Sequence, residues 1–170
     1  MSGKVVVGLA VAGALLAVAL IGRAGISSGP AAPAMNFDVT LADMNGASVD
    51  LATFKGQPLI VNLWATWCGP CRIETPELVK FAEKYKDRGL RVIGISADDT
   101  PDAIRAFAAE FGVPYPMLVG LNQDAFLQSI GYRGTLPLTL MVAKDGTIRE
   151  QITGLRRVAE WERMIEALVD

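Results

Sequence analysis

The sequence predicts an α/β fold: a central mixed β-sheet flanked by helices, opened by a short β-hairpin and preceded by one N-terminal apolar segment. Three observations predict it. Strand-like apolar runs alternate with helix-period segments between residues 59 and 130, as layered α/β domains do. Asp145-Gly146 stands between two apolar runs, a hairpin signal. An amphipathic helix, with Val158, Trp161, Ile165 and Leu168 on one stripe, closes the chain. The length of 170 residues suits one domain of ordinary size.

The elements run in order along the chain. Phe37–Leu41 and Ser48–Leu51 are short strands around the turn residues Asp43-Met-Asn-Gly46. Leu59-Ile-Val-Asn-Leu-Trp64 is nearly all apolar, as a central strand covered on both faces is. A helix starts after Cys68; Leu78, Phe81 and Tyr85 recur at helical spacing and Gly89 ends it. Arg91–Ser96 is the next strand. Thr100-Pro101 opens a second helix as cap and first-turn proline, with Ile104, Phe107, Ala108 and Phe111 as its stripe. Tyr115–Val119 is a strand, Asp124–Ile130 a short helix, and Leu138–Ala143 and Thr147–Ile152 form the hairpin.

Val5 to Gly22 carries no charge, with Lys4 before it and Arg23 behind it. It lacks the polar face of a surface helix and reaches the low end of the roughly 17–25 residues that span a bilayer. Two readings stay open. One is an uncleaved signal anchor whose basic start favours a cytoplasmic N-terminus. The other is a cleaved signal ending at Ala32-Pro33-Ala34. Either one exports the rest of the chain. Residues 1–24 are then the anchor, 25–35 a Gly/Pro/Ala linker, and 36–170 the folded domain. No cysteine stands close enough behind the apolar run for lipid attachment.

Charge and composition exclude several classes. The net charge is −2, and setting aside residues 1–34 removes two bases and no acid. No basic stripe is present, so nucleic acid is not expected as a partner. The chain has no histidine, which excludes His-based triads and imidazole metal ligands.

Both cysteines lie in Trp64-Ala-Thr-Trp-Cys-Gly-Pro-Cys71. A structural zinc site takes four ligands, more than one copy of this chain offers in that pattern. Covalent haem attachment needs a histidine after the second cysteine, and residue 72 is Arg. A structural disulfide across two residues closes too small a loop to stabilise much. A working dithiol explains the placement. A buried strand delivers Cys68 to a helix start, where backbone amides and the helix dipole favour a thiolate. Pro70 suits the first helical turn. Cys68 is then the exposed nucleophile, and Cys71, one turn along, resolves the mixed disulfide. Neither a metal nor an organic cofactor is required.

The phrase from Lys55 to Cys71, the helix–strand unit around residues 100–119, Thr135-Leu-Pro-Leu-Thr-Leu140 and Lys144-Asp-Gly-Thr147 together resemble the thioredoxin superfamily, within it the membrane-anchored TlpA/ResA/CcmG-like proteins. The resemblance spans about residues 36–170 and implies a thioredoxin-like fold with an N-terminal hairpin and an inserted helix–strand unit. By position it implies that Pro137 is the cis-proline that packs on the dithiol, against the alternative of an ordinary strand-start proline. Leu136 before it is implied to contact the dithiol without adding a polar partner. Asn62 stands where thioredoxin has a buried aspartate and cannot titrate. Glu74 resembles the glutamate that serves the dithiol in this group, where a partly apolar setting raises its pKa and equips it to relay a proton; the alternative is an exposed acid near a helix start. Trp67, with Gly69 and Pro70, belongs to the docking surface for substrate, and Trp64 to the core. Arg72 is either a charge that favours the thiolate or a solvated side chain.

The function implied is an exported, membrane-tethered thiol–disulfide oxidoreductase facing the bacterial periplasm or its equivalent. Gly-Pro between the cysteines resembles reducing members. Its clients would be disulfide-containing proteins, such as apocytochrome c or its maturation partners, and its electrons would come from a membrane donor of the DsbD/CcdA type. Rival readings are a general disulfide reductase or isomerase, a peroxiredoxin-like peroxidase, and a non-catalytic binding module using the Trp67–Pro137 groove. The peroxidase lacks its Pro-x-x-x-Thr-x-x-Cys pattern here.

Overall fold

The computed structural model describes residues 33–170. The apolar segment and the linker up to residue 32 lie outside the described residues. Five strands form the central sheet: β3 (Leu59–Trp64), β4 (Arg91–Ser96), β5 (Met117–Val119), β6 (Leu138–Val142) and β7 (Ile148–Thr153), in the order β5-β4-β3-β6-β7. The β3–β4 and β4–β5 pairs are parallel; β3–β6 and β6–β7 are antiparallel. The sheet is therefore mixed, as expected. β1 (Thr40–Ala42) and β2 (Ser48–Asp50) make a separate hairpin. The helices are α1 (Gly69–Tyr85), α2 (Pro101–Phe111), α3 (Asp124–Ser129) and α4 (Val158–Val169).

β3 is the middle strand and is buried along its whole length, which explains its nearly continuous apolar run. Its side chains alternate between two cores. Ile60 and Trp64 enter the core under α1, α2 and α4, with Leu78, Phe81, Phe107, Trp161 and Ile165. Leu59, Val61 and Leu63 enter the core on the other face, with Phe37, Leu41, Phe126 and Leu140. Asn62 falls between Ile60 and Trp64 in the alternation and so lies on the α1 face. Trp64 packs on Phe107 with ring centroids 4.1 Å apart, so it is a core residue.

Element ends differ from the expected ones for local reasons. β1 starts at Thr40 rather than Phe37; Phe37 is buried, but as a core plug outside any strand. β2 stops at Asp50, whose carboxylate accepts from the Ala52 amide (2.9 Å) and caps a 3-10 turn at Leu51–Phe54. β5 starts at Met117, after Pro116. The first helix passes through Pro76 and ends at Tyr85, followed by a 3-10 turn that Gly89 closes at φ 87°. At the end of the expected linker, Met35 is buried and donates to the Gly146 carbonyl (2.9 Å), while Pro33 accepts from the Ile148 amide (2.8 Å).

Gly120 comes directly after β5, where two backbones meet. Its amide donates to the Ser96 carbonyl at 2.7 Å, and a Cβ there would stand 2.4 Å from that same oxygen. Backbone cannot swing aside as a side-chain tip can. Gly120→Ala should therefore lower stability by about 1–3 kcal/mol, read as a reduced urea midpoint; an unchanged midpoint would contradict this packing.

Candidate active site

The site lies where β3 passes into α1. Beyond Trp64 the chain turns through Ala65, Thr66 and Trp67, and the Cys68 amide donates to the Ala65 carbonyl (3.1 Å). Cys68 then occupies the N-cap of α1 in extended conformation, and its sulfur accepts from the Cys71 amide at 3.2 Å. First-turn amides have no partner inside a helix, so the sulfur takes the place an N-cap oxygen usually fills. The same amide and the helix dipole stabilise a thiolate there when the pair is reduced. Cys68 and Cys71 are joined by a disulfide, with Cα atoms 5.2 Å apart.

The expected contrast between an exposed Cys68 and a covered Cys71 is weaker in the structure. Cys68 is 4% exposed and Cys71 0%. The order of access is as expected, but Cys68 is not openly exposed: it belongs to the buried cluster under α1, against which Leu136 also packs. The Leu136–Pro137 peptide is cis. The register Leu63↔Leu138 sets Pro137 level with the end of β3, and its carbonyl accepts from the Gly154 amide (3.0 Å). Leu136 is partly buried and packs against both cores. Gly69 and Pro70 are exposed on the first turn of α1.

Trp67 is 66% exposed, yet it is fixed. Its indole N–H donates to both carboxylate oxygens of Asp98, at 3.1 and 3.2 Å. The neighbouring Asp99 is buried and holds Thr66: its oxygens accept from the Thr66 amide (2.8 Å), the Thr66 hydroxyl (2.6 Å) and the Ser96 hydroxyl (2.6 Å). Two adjacent aspartates past the end of β4 thus clamp the two residues before Cys68. Sequence reasoning missed both. The available signal was their place at the C-terminal end of a strand parallel to β3, where sites of open α/β sheets gather.

Glu74 is buried, three residues after Cys71 and on the same face of α1. Asn62 donates from Nδ2 to Glu74 Oε1 (2.7 Å) and to the Thr139 hydroxyl (2.9 Å). Among the described residues Glu74 Oε2 has no hydrogen-bond partner. Burial pushes the carboxyl up from 4.5 to about 7, against the pull of the Asn62 hydrogen bond. Tyr115, also missed from sequence, is buried nearby; burial first, and the Glu74 charge second, raise its phenol pKa. Arg72 is partly solvated, and its head group is also engaged away from the cysteines. It pairs with Glu110 and lies over Phe107 and Phe111, 5.5 and 5.0 Å from their centroids, so it fastens α2 to α1.

A redox-active dithiol on a helix N-cap with a buried carboxyl beside it is chemistry that can be compared with known proteins. The model of the Redoxin family matches residues 27–165. The chain belongs to the Redoxin family. It is 36% identical over 121 residues to the thiol-disulfide oxidoreductase ResA of Bacillus anthracis, covering 71% of this chain and 68% of that protein. It is 29% identical over 136 residues to ResA of Bacillus subtilis, covering 78% and 71%. In structure it is similar to a putative thiol:disulfide interchange protein DsbE from Chlorobium tepidum, with TM-score 0.74, 22% identity, and 84% and 100% coverage. It is also similar to a secreted Mycobacterium tuberculosis disulfide oxidoreductase homologous to E. coli DsbE, with TM-score 0.70, 20% identity, and 78% and 97% coverage. These likenesses show the thioredoxin-like fold. The protein is a thiol–disulfide oxidoreductase of the TlpA/ResA/CcmG-like group of the thioredoxin superfamily.

The raised carboxyl links stability to pH. Well below 4.5 Glu74 is neutral whether the chain is folded or not. Between 4.5 and about 7 the unfolded chain releases its proton while the fold retains it, so this group's contribution to stability falls as pH rises. Above about 7 the loss levels off near 3 kcal/mol, at roughly 1.4 kcal/mol per pH unit. Urea unfolding of oxidised Glu74→Gln at pH 4.5 and 8 should show a smaller drop than wild type, by up to that amount. Parallel pH curves would contradict it.

Proposed function

We propose that this chain is an exported, membrane-tethered disulfide reductase acting on protein disulfides, with apocytochrome c or its maturation partners as clients. The observation that carries the reading is the surface around the dithiol. Cys68 is almost covered, but the end of the molecule that holds it bears the exposed apolar side chains Trp67, Ile73, Leu155 and Val158. Leu155 reaches this end because Gly154 is bonded to Pro137. A rim of that kind suits an extended polypeptide laid against the Leu136-Pro137 segment and desolvated as it docks.

Each step conserves electrons. The Cys68 thiolate attacks one sulfur of the client disulfide and expels the other as a thiolate. Cys71 gives up its proton and attacks Cys68 Sγ. The second client sulfur leaves, and the Cys68–Cys71 disulfide remains. The client has gained two electrons and the dithiol has lost two. Glu74 takes the Cys71 proton in its ionised form, which it adopts near neutral pH.

The Gly-Pro pair between the cysteines and the ResA-named relatives support the reductive direction. A reductant in an oxidising compartment needs a supply of electrons, and a membrane donor of the DsbD/CcdA type would serve. The uncharged stretch from Val5 to Gly22 supports the tether, single-pass in the inner membrane with the folded domain in the periplasm; cleavage near Ala34 would leave the domain soluble there instead.

Full-length Cys71→Ser should arrest the reaction at the mixed disulfide and accumulate client adducts on Cys68, identified by mass spectrometry after non-reducing separation. Cytochrome apoproteins or their handling factors are expected among them. A broad set of unrelated envelope proteins would replace this reading with a general reductase or isomerase. Undiminished biological activity in Cys68→Ser, Cys71→Ser would replace it with a binding module.

A further inference from the structure

Asn62 has no part in the electron transfer, yet it is 2% exposed and commits both protons of its amide to the site. One goes to Glu74 Oε1 and the other to the Thr139 hydroxyl, itself 1% exposed. Alternation along β3 places Asn62 under α1, and the register Asn62↔Thr139 places its neighbour on β6 at the same level. β6 thus orients, through Thr139, the β3 amide that bonds one carboxyl oxygen of the helix.

We propose that Asn62, secured by Thr139, is a positioning residue for the proton transfer at Cys71: by occupying Glu74 Oε1 it leaves Oε2 as the oxygen that exchanges the proton, and so sets the pH at which the dithiol closes. This rests on the role given to Glu74 above. A carbonyl oxygen accepts a hydrogen bond better than a hydroxyl oxygen, so the N–H donated to Oε1 favours the neutral carboxyl with its proton on Oε2. Oε2 is the oxygen with no partner among the described residues. In the closing step the Cys71 S–H bond breaks, the proton passes to Oε2, and the sulfur pair forms the new bond to Cys68 Sγ as the client thiolate departs. The proton then leaves Oε2 for the client thiolate or water.

Among the described residues, Cys71 precedes Glu74 by one turn of α1, β3 brings neutral Asn62 with neutral Thr139 of β6 behind it, and the segment before β5 brings Tyr115, whose phenol responds to the Glu74 charge. Arg72 on α1 is turned to Glu110 and the α2 aromatics. Among the described residues Asn62 is thus the one side-chain donor bonded to the carboxyl, and its hydrogen bond favours the ionised form.

The test is stopped-flow reaction of the reduced full chain with an aromatic disulfide that releases a coloured thiolate. The first release reports attack by Cys68, and the second reports closure by Cys71. Wild type should show a second phase that rises with pH through a midpoint near 7. Asn62→Leu should move that midpoint up by about one pH unit or more while leaving the first phase in place. Thr139→Val, which frees the amide but keeps Asn62, should move it in the same direction by less. An unshifted midpoint in a folded Asn62→Leu overturns the proposal; if that variant does not fold, an unshifted Thr139→Val does. Glu74→Gln separates the two levels. Loss of its midpoint with no shift in the Asn62 and Thr139 variants removes Asn62 alone, whereas a midpoint near 7 that survives Glu74→Gln removes the role of Glu74 and this proposal with it.

Discussion

The working end of this protein depends on Cys68 serving as the N-cap of α1. β3 is the middle strand and is pinned on both faces and both edges, so the point where it ends is fixed. Four residues later a helix must begin, and its first amides need acceptors that the helix does not supply. A sulfur at that point meets the need in the oxidised protein and gains a stabilising donor as a thiolate in the reduced one. The loop between strand and cap has little freedom, because Asp99 fixes the Thr66 backbone and Asp98 fixes the Trp67 ring. The local geometry of a helix start thus becomes a setting that favours a thiolate.

The second constraint is a buried carboxyl. Removing Glu74 from water disfavours its charge, and the partners that reach it are an amide and, through it, a hydroxyl, with no cation among the described residues to restore the ordinary value. Arginine is present one residue after Cys71, but it is engaged by Glu110 and two aromatic faces. The consequence is a group that titrates near neutrality beside a thiol that must lose a proton. The fold loses stability above that pH, and the carboxyl fits the view that strongly shifted groups gather at working sites, as the proposed role of Glu74 as the base for Cys71 requires.

Much of this was legible in the sequence because it is local. The apolar run of β3, the cysteine spacing, the helix periodicities and the Asp-Gly hairpin each report on a few adjacent residues, and those elements appear where they were expected. Glu74 and Pro137 were legible through their offsets in a family pattern. The parts that were not legible depend on which elements become neighbours. Asp98 and Asp99 read as ordinary acids in a turn until the parallel pairing of β3 with β4 brings them against Thr66 and Trp67. Asn62 read as a lost aspartate, and only the β3–β6 register shows its bond to Thr139. Arg72 read as either a charge near the thiolate or a solvated side chain, and only the position of α2 shows its contacts with Glu110 and the aromatics. Met35 read as linker because its partner, Gly146, lies at the other end of the sequence.

Whether the capped, clamped dithiol works as a reductant is decided most directly by the reduction potential of the Cys68–Cys71 pair. The protein is equilibrated against glutathione or dithiothreitol buffers and its free thiols are counted. A reductant should give a value of about −240 mV or lower, towards the thioredoxin end of the range. A value between about −120 and −180 mV, where oxidants and isomerases lie, would contradict the reductive role.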